Sequence, residues 1–228
     1  MKPNVEASAI ACLASALELN GKIKEAEREL NRALKVVPSD ARVDRARYRQ
    51  NLAGLVRKKG DLSEAMKLYS DILKEFGSIY GKDTPSKYIA ATLVNMGAVY
   101  IQTADYRKAQ EAMHRALGIF KNLYGEKPHP HIVAVNTALG NIYEARDKIP
   151  RAREYREKSL KMSYELYGKD ASHPRIVSQL QAIGNLCRKE GDMIGARKNL
   201  QKAIKIHRGL GHTDSNPEMA TLIHNLGM

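Results

Sequence analysis

Four glycines stand at one phase of a long period: Gly97, Gly140, Gly184 and Gly227, separated by 43, 44 and 43 residues. Each follows a large apolar residue, in the segments LVNMGAVY (93–100), NTALGNIY (136–143), LQAIGNLC (180–187) and IHNLG (223–227). Twelve residues after the first three come Ala109, Ala152 and Ala196, and seven further on Ala116, Ser159 and Ala203. The same ruler runs upstream through Leu13-Ala14 with Ala26 and Ala33, then Leu52-Ala53 with Ala65 and Ile72. Glycine inside a helix costs about 1 kcal/mol against alanine, so its return at one phase marks a packing requirement. Antiparallel helices approach closely only where the facing side chains are small. The chain therefore reads as all-α: five helical hairpins and the start of a sixth.

The punctuation agrees. Gly21, Gly60 and Gly191 mark the turn between the two helices of a hairpin, with Ala104 and Asp147 in the equivalent places. The first repeat closes at Pro38; later ones are longer and end in related loops, YGKDTPSKY (80–88), YGEKPHPHI (124–132), YGKDASHPRI (167–176) and LGHTDSNPEM (210–219). Glycine stops a helix in a left-handed cap, and proline presets the start of the next. The spacing predicts helix pairs at about 7–20 and 22–36, 45–59 and 61–78, 90–103 and 105–123, 133–146 and 149–167, and 177–190 and 193–209. No low-complexity linker interrupts them. The expectation is one array over residues 1–228, with repeats at about 7–40, 46–89, 90–132, 133–176, 177–219 and a partial 220–228. Leu222, Ile223 and Leu226 leave the last helix with an apolar face, so the native protein is expected to continue beyond Met228.

These anchors resemble the tetratricopeptide signature, L-G-x2-Y followed by A-x3-F. The long repeats and their loop motif resemble the kinesin light chain and nephrocystin group over residues 46–228. The resemblance implies a right-handed superhelical solenoid whose first helices line a concave groove for partner peptides, often with acidic residues. By that analogy the groove-facing positions are Arg47, Gln50, Asn51, Arg57 and Lys58 in repeat two, and Val94, Asn95, Ile101 and Gln102 in repeat three. Thr137, Asn141 and Glu144 follow in repeat four, then Gln181, Asn185, Arg188 and Lys189, and finally His224 and Asn225. Asn and Gln donate and accept together, which suits clasping a peptide backbone. The family's paired asparagines persist here only as Asn95 and Asn225, with Thr137-Ala138 and Gln181-Ala182 elsewhere.

Charge narrows the partner. The net charge is +13, from 38 basic and 25 acidic residues. Two windows carry much of it. Residues 41–59 hold Arg42, Arg45, Arg47, Arg49, Arg57, Lys58 and Lys59 against Asp44 alone; residues 185–208 hold seven basic residues against Glu190 and Asp192. Such clusters steer acidic partners. The expected function is a non-catalytic scaffold for an extended acidic peptide, held by basic residues of repeats two and five with a neutral lining between. RNA binding on the basic surface is the second reading. Against it, helical RNA readers use one repeat per base with paired coding positions, and the residues at these positions follow no such code.

Other chemistry is not signalled. Thr137 stands where a chaperone-tail clamp would need its first Lys. His129, His131 and His173 lie in loops without the further close ligands that a metal needs. Cys187 takes a repeat position usually held by Tyr, which suits a packed thiol. Glycines occur singly, never as a phosphate-cradling loop. No enzyme activity, cofactor or metal is expected. No apolar run approaches a membrane span, and Glu6 sits where a signal peptide needs positive charge. Two thiols 175 positions apart, Cys12 and Cys187, cannot make a disulfide framework, which suits an intracellular, cytoplasmic setting.

Overall fold

The computed structural model describes residues 3–81, 84–168, 172–211 and 216–227. Eleven α-helices run through these residues: α1 (Pro3–Leu19), α2 (Ile23–Val36), α3 (Arg42–Lys58), α4 (Leu62–Tyr80), α5 (Lys87–Gln102), α6 (Tyr106–Tyr124), α7 (Pro130–Ala145), α8 (Ile149–Tyr167), α9 (Pro174–Lys189), α10 (Met193–Gly209) and α11 (Pro217–Gly227). No strand occurs among the described residues. All five expected helix pairs are present, odd-numbered helices being the first of each repeat. The fold is an all-α solenoid of antiparallel pairs.

The second helices begin and end within two residues of the positions expected from spacing. The first helices begin three or four residues early, and in α5, α7 and α9 a side-chain cap marks the start. Ser86 Oγ accepts from the Tyr88 amide at 3.3 Å. In the next two repeats a histidine takes that place: His129 Nδ1 accepts from His131 N–H at 3.2 Å, and His173 Nδ1 from Arg175 N–H at 3.2 Å. Pro130 and Pro174 follow directly, where a missing N–H costs nothing. Each capping ring also stacks on the tyrosine that ends the preceding helix, Tyr124 on His129 and Tyr167 on His173, both with centroids 3.6 Å apart.

Within each hairpin the chain reverses through one left-handed residue. Gly21, Gly60 and Gly191 have φ of +74°, +95° and +80°, and Ala104 and Asp147 adopt the same region at +57° and +55°. Small residues then meet at the crossings. Ala14 and Ala26, Ala53 and Ala65, and Ala109, Ala152 and Ala196 opposite their glycines are all buried. A Cβ at Gly184 would stand 2.9 Å from Leu200 Cγ and 3.4 Å from the Ala196 carbonyl oxygen, so the approach of α9 to α10 requires glycine.

The chain forms two compact units, Met1–Leu123 and Tyr124–Met228. In the first, α1 to α5 pack in succession and α3 also touches α5. Its core includes Ile10, Ala14, Leu30, Ala33, Tyr48 and Leu55. The rings of Phe76, Tyr80 and Tyr88 stack where α4 meets α5. In the second unit α7 to α11 pack in succession. Ile176, Leu180, Leu200, Ala203, Met219 and Leu222 form the core of its last three helices.

Candidate partner-binding surface

In the first unit the predicted groove cations are already engaged. Arg47 is exposed, donates to Asp44 at 2.8 Å and lies 5.8 Å from the centre of the Tyr88 ring. Lys58 pairs with Glu18 of α1 at 2.8 Å, and Arg57 donates to Gln102 of α5 at 3.3 Å. The rest of the basic window is treated alike. Arg49 meets Glu75 at 2.6 Å and Lys59 meets Glu27 at 2.8 Å. Arg45 donates to the carbonyls of Leu34 and Val37, and Arg42 to Ser78. Gln50 does not reach the open face: it is buried, 8% exposed. Asn51 is exposed and Asn95 half-buried.

In the second unit the balance differs. Lys189 pairs with Glu144 of α7 at 2.7 Å. Among the described residues, no carboxylate lies within ion-pair distance of Arg188, Arg197, Lys198, Lys202 or Lys205. Arg188, Arg197 and Asn225 line one cavity of about 330 Å³ with Met193, Ala196, Leu200 and Leu226. Gln181 lines another, of about 590 Å³, between α9, α10 and α11, with Arg175, Ser178, His207 and Glu218 among its walls. Asn185 is half-buried, and its Oδ1 is buried without a hydrogen-bond donor.

Asn141 leads to a feature that sequence pattern did not single out. Four residues after the crossing alanine, the second helices carry Leu30, Tyr69, Met113 and Leu200, all at most 2% exposed. The fourth repeat carries Arg156 instead, 6% exposed. Its Nη1 donates to Gln179 Oε1 at 3.2 Å and its Nη2 to Asn141 Oδ1, while Nε has no acceptor. Gln179 Nε2 donates to Thr137 Oγ1 at 3.0 Å; Thr137 and Ser159 share a hydroxyl contact of 2.8 Å, and Ser159 reaches the Val133 carbonyl at 3.2 Å. Burial pushes the Arg156 guanidinium down from its ordinary value, and Glu144 pulls it back up. The signal was an Arg in the A-x3-F slot of REYREKS, visible only once that slot is known to be core.

The remaining chemistry-bearing groups have structural contacts. His129 and His173 are helix caps, and the His129 and His131 rings lie 5.1 Å apart. Among the described residues no three His, Cys, Asp or Glu side chains are placed to share a metal ion. Cys12 and Cys187 are free thiols; Cys187 is buried against Ile183 and Ala196, and burial pushes its thiol pKa up. Among the described residues no helix is long and apolar enough to cross a membrane.

Repeated antiparallel pairs, small residues at each crossing and a capped return loop define a helical-repeat interaction fold. Residues 88–170 match the family model of the tetratricopeptide repeat. No curated relative matches it in sequence. Among solved structures, BtubC (BKLC) from P. vanneervenii is similar over 94% of this chain and 85% of its own, at 21% identity and a TM-score of 0.80. A Podosopora anserina kinesin light chain protein of nearly identical TPR-like repeats is 18% identical over 92% of this chain and 99% of its own, with a TM-score of 0.70. MamA from Desulfovibrio magneticus RS-1 is more distant, 14% identical over 89% of this chain and 96% of its own, with a TM-score of 0.59. These likenesses are of fold.

Proposed function

We propose that the chain is a non-catalytic scaffold that binds an extended acidic protein segment, and that the second unit supplies the principal recognition surface. The observation that carries this reading is that Arg188, Arg197, Lys198, Lys202 and Lys205 on α9 and α10 meet no carboxylate among the described residues. Surface charges left unpaired raise the local potential and speed the encounter with an acidic chain. Arg188 supports the reading further, because it lines a cavity that also offers Asn225 and the apolar Leu200 and Leu226. A guanidinium beside amide and aliphatic groups suits a segment mixing acidic and apolar side chains. Asn141 on α7 and Lys189 on α9 are exposed polar residues of the same unit, and Gln181 lines the separate cavity between α9, α10 and α11. Free thiols fit an intracellular, cytoplasmic setting.

Synthetic peptides graded in Asp and Glu content, titrated against the full chain by fluorescence anisotropy, test the reading. Acidic peptides should bind at least about tenfold more tightly than their Asn/Gln counterparts, a gap of about 1.4 kcal/mol. That gap should shrink with added salt. An unstructured RNA oligonucleotide is the comparator. RNA bound more tightly than any peptide, with a steep salt slope, would overturn the proposal in favour of nucleic acid.

A further inference from the structure

A buried guanidinium held only by neutral amides is an unfinished arrangement. Arg156 has lost most of its water, being 6% exposed, yet its acceptors are the carboxamide oxygens of Gln179 and Asn141 and its Nε has none. Guanidinium is always charged in proteins and matches a carboxylate in a two-point fork. Glu144, whose field Arg156 feels, is committed to Lys189 at 2.7 Å. The other repeats show that the slot folds well with Leu, Tyr or Met, so packing alone does not call for Arg. Its stem is fixed all the same: a Cβ at Gly140 would stand 2.9 Å from Arg156 Cδ.

The two amide partners differ in access. Gln179 is buried and tied to Thr137, whereas Asn141 is exposed on α7 and reaches the Nη2 edge from the solvent side. Of the two hydrogen-bond partners, Asn141 alone is exposed. We propose that Arg156 is the anchor for an Asp or Glu carboxylate of a bound peptide, which enters between α7 and α9 by displacing Asn141. This rests on the peptide-scaffold reading and names the group it recognises. A carboxylate has the shape of the carboxamide it replaces and adds the missing charge. Charge-assisted bonds are about twice as strong as neutral ones, and the water-poor setting strengthens them further. Asn141 acts as a stand-in that keeps Nη2 satisfied while no peptide is bound.

The test has two arms. Acetate, titrated against chloride at constant ionic strength, should shift the Arg156 Nε–H and Asn141 side-chain amide resonances saturably. Arg156→Met, the residue of the preceding repeat's slot, should abolish the response. Asn141→Ala should tighten acetate at least threefold. Asn141→Asp, which supplies the carboxylate internally and tests the idea without touching the buried residue, should weaken it at least tenfold. In the second arm, peptides that bind the wild type should lose at least tenfold on Glu→Gln at one position, and Arg156→Met should erase that preference. Acetate shifts no larger than those of chloride, or shifts that persist in Arg156→Met, would overturn the anchor. Peptides bound with indifference to Glu or Gln at every position, together with silent acetate, sink the anchor but not the scaffold. Saturable acetate binding in a chain that takes no peptide does the reverse.

Discussion

Two basic windows of similar local charge behave differently in space. In residues 41–59, on and around α3, Lys58, Lys59 and Arg49 are answered by Glu18, Glu27 and Glu75, each from a neighbouring helix. In residues 185–208, on α9 and α10, Lys189 is paired with Glu144 while Arg188, Arg197, Lys198, Lys202 and Lys205 meet no carboxylate among the described residues. Charge counted along the chain is therefore not charge presented to a partner. In a repeat stack the neutralising acid lies a helix or a whole repeat away: 26 residues for Arg49 and Glu75, 32 for Lys59 and Glu27, and 45 for Lys189 and Glu144. The first window reads as glue between helices, the second as a surface available to bind.

The largest expected effect concerns packing. The α9–α10 crossing is tight, whereas a Cβ at Gly54 of α3 would meet only the Tyr69 hydroxyl, at 3.6 Å. Gly184→Val should destabilise by about 2–3 kcal/mol through overpacking. Gly54→Ala should stabilise by about 0.5–1 kcal/mol through helix propensity. Denaturant melts of the two variants read both, and equal destabilisation would show that the crossing glycine Gly184 is no more tightly packed than Gly54, which lies beside the crossing residue Ala53.

A smaller effect concerns the caps. His173→Ala should cost about 1 kcal/mol, and His173→Asp should restore most of it. The cap needs an unprotonated Nδ1. Burial first, and then the Arg175 charge, lower the His173 pKa below its ordinary 6.5. The neutral ring's contribution is thus complete above the ordinary value and is lost as pH falls through the lowered folded one. Amide exchange at Arg175 across that window should show protection falling in the wild type but level in His173→Asp. The first unit's Ser86 cap should show no such titration.

The smallest effect on stability sharpens the charge comparison itself. Exposed pairs contribute as little as about 0.2 kcal/mol each, so Glu18→Gln, Glu27→Gln and Glu75→Gln together should cost less than about 1 kcal/mol. They should nevertheless open the α3 window and raise affinity for an acidic peptide several-fold, measured by anisotropy. An unchanged affinity would mean that these carboxylates do not mask the α3 cations.

The fold was legible because a repeat states its packing rule several times over: small residues at one phase, a left-handed turn and a Gly–Pro loop. The starts of the first helices were less so. Histidine is no standard N-cap, and its role depends on stacking against Tyr124 and Tyr167. The surface was read in part. Lys58, Arg57, Asn141 and Lys189 do make cross-helix contacts, but Gln50 turned out buried and the α3 cations engaged. Neither follows from phase, since neutralisation depends on which acid lies opposite in the next helix. Arg156 escaped notice for the complementary reason, a charge in a slot that the pattern reserves for the core.

Affinity for one acidic peptide, compared between Arg57→Ser/Lys58→Ser and Arg188→Ser/Arg197→Ser, tests the difference between the windows most directly. The second pair should lose at least about tenfold, or about 1.4 kcal/mol, with helicity and melting unchanged. The first pair should lose less than about twofold, because Lys58 is already neutralised by Glu18 and Arg57 is held against Gln102. Equal losses, or a larger loss from the α3 pair, would contradict the assignment of recognition to α9 and α10.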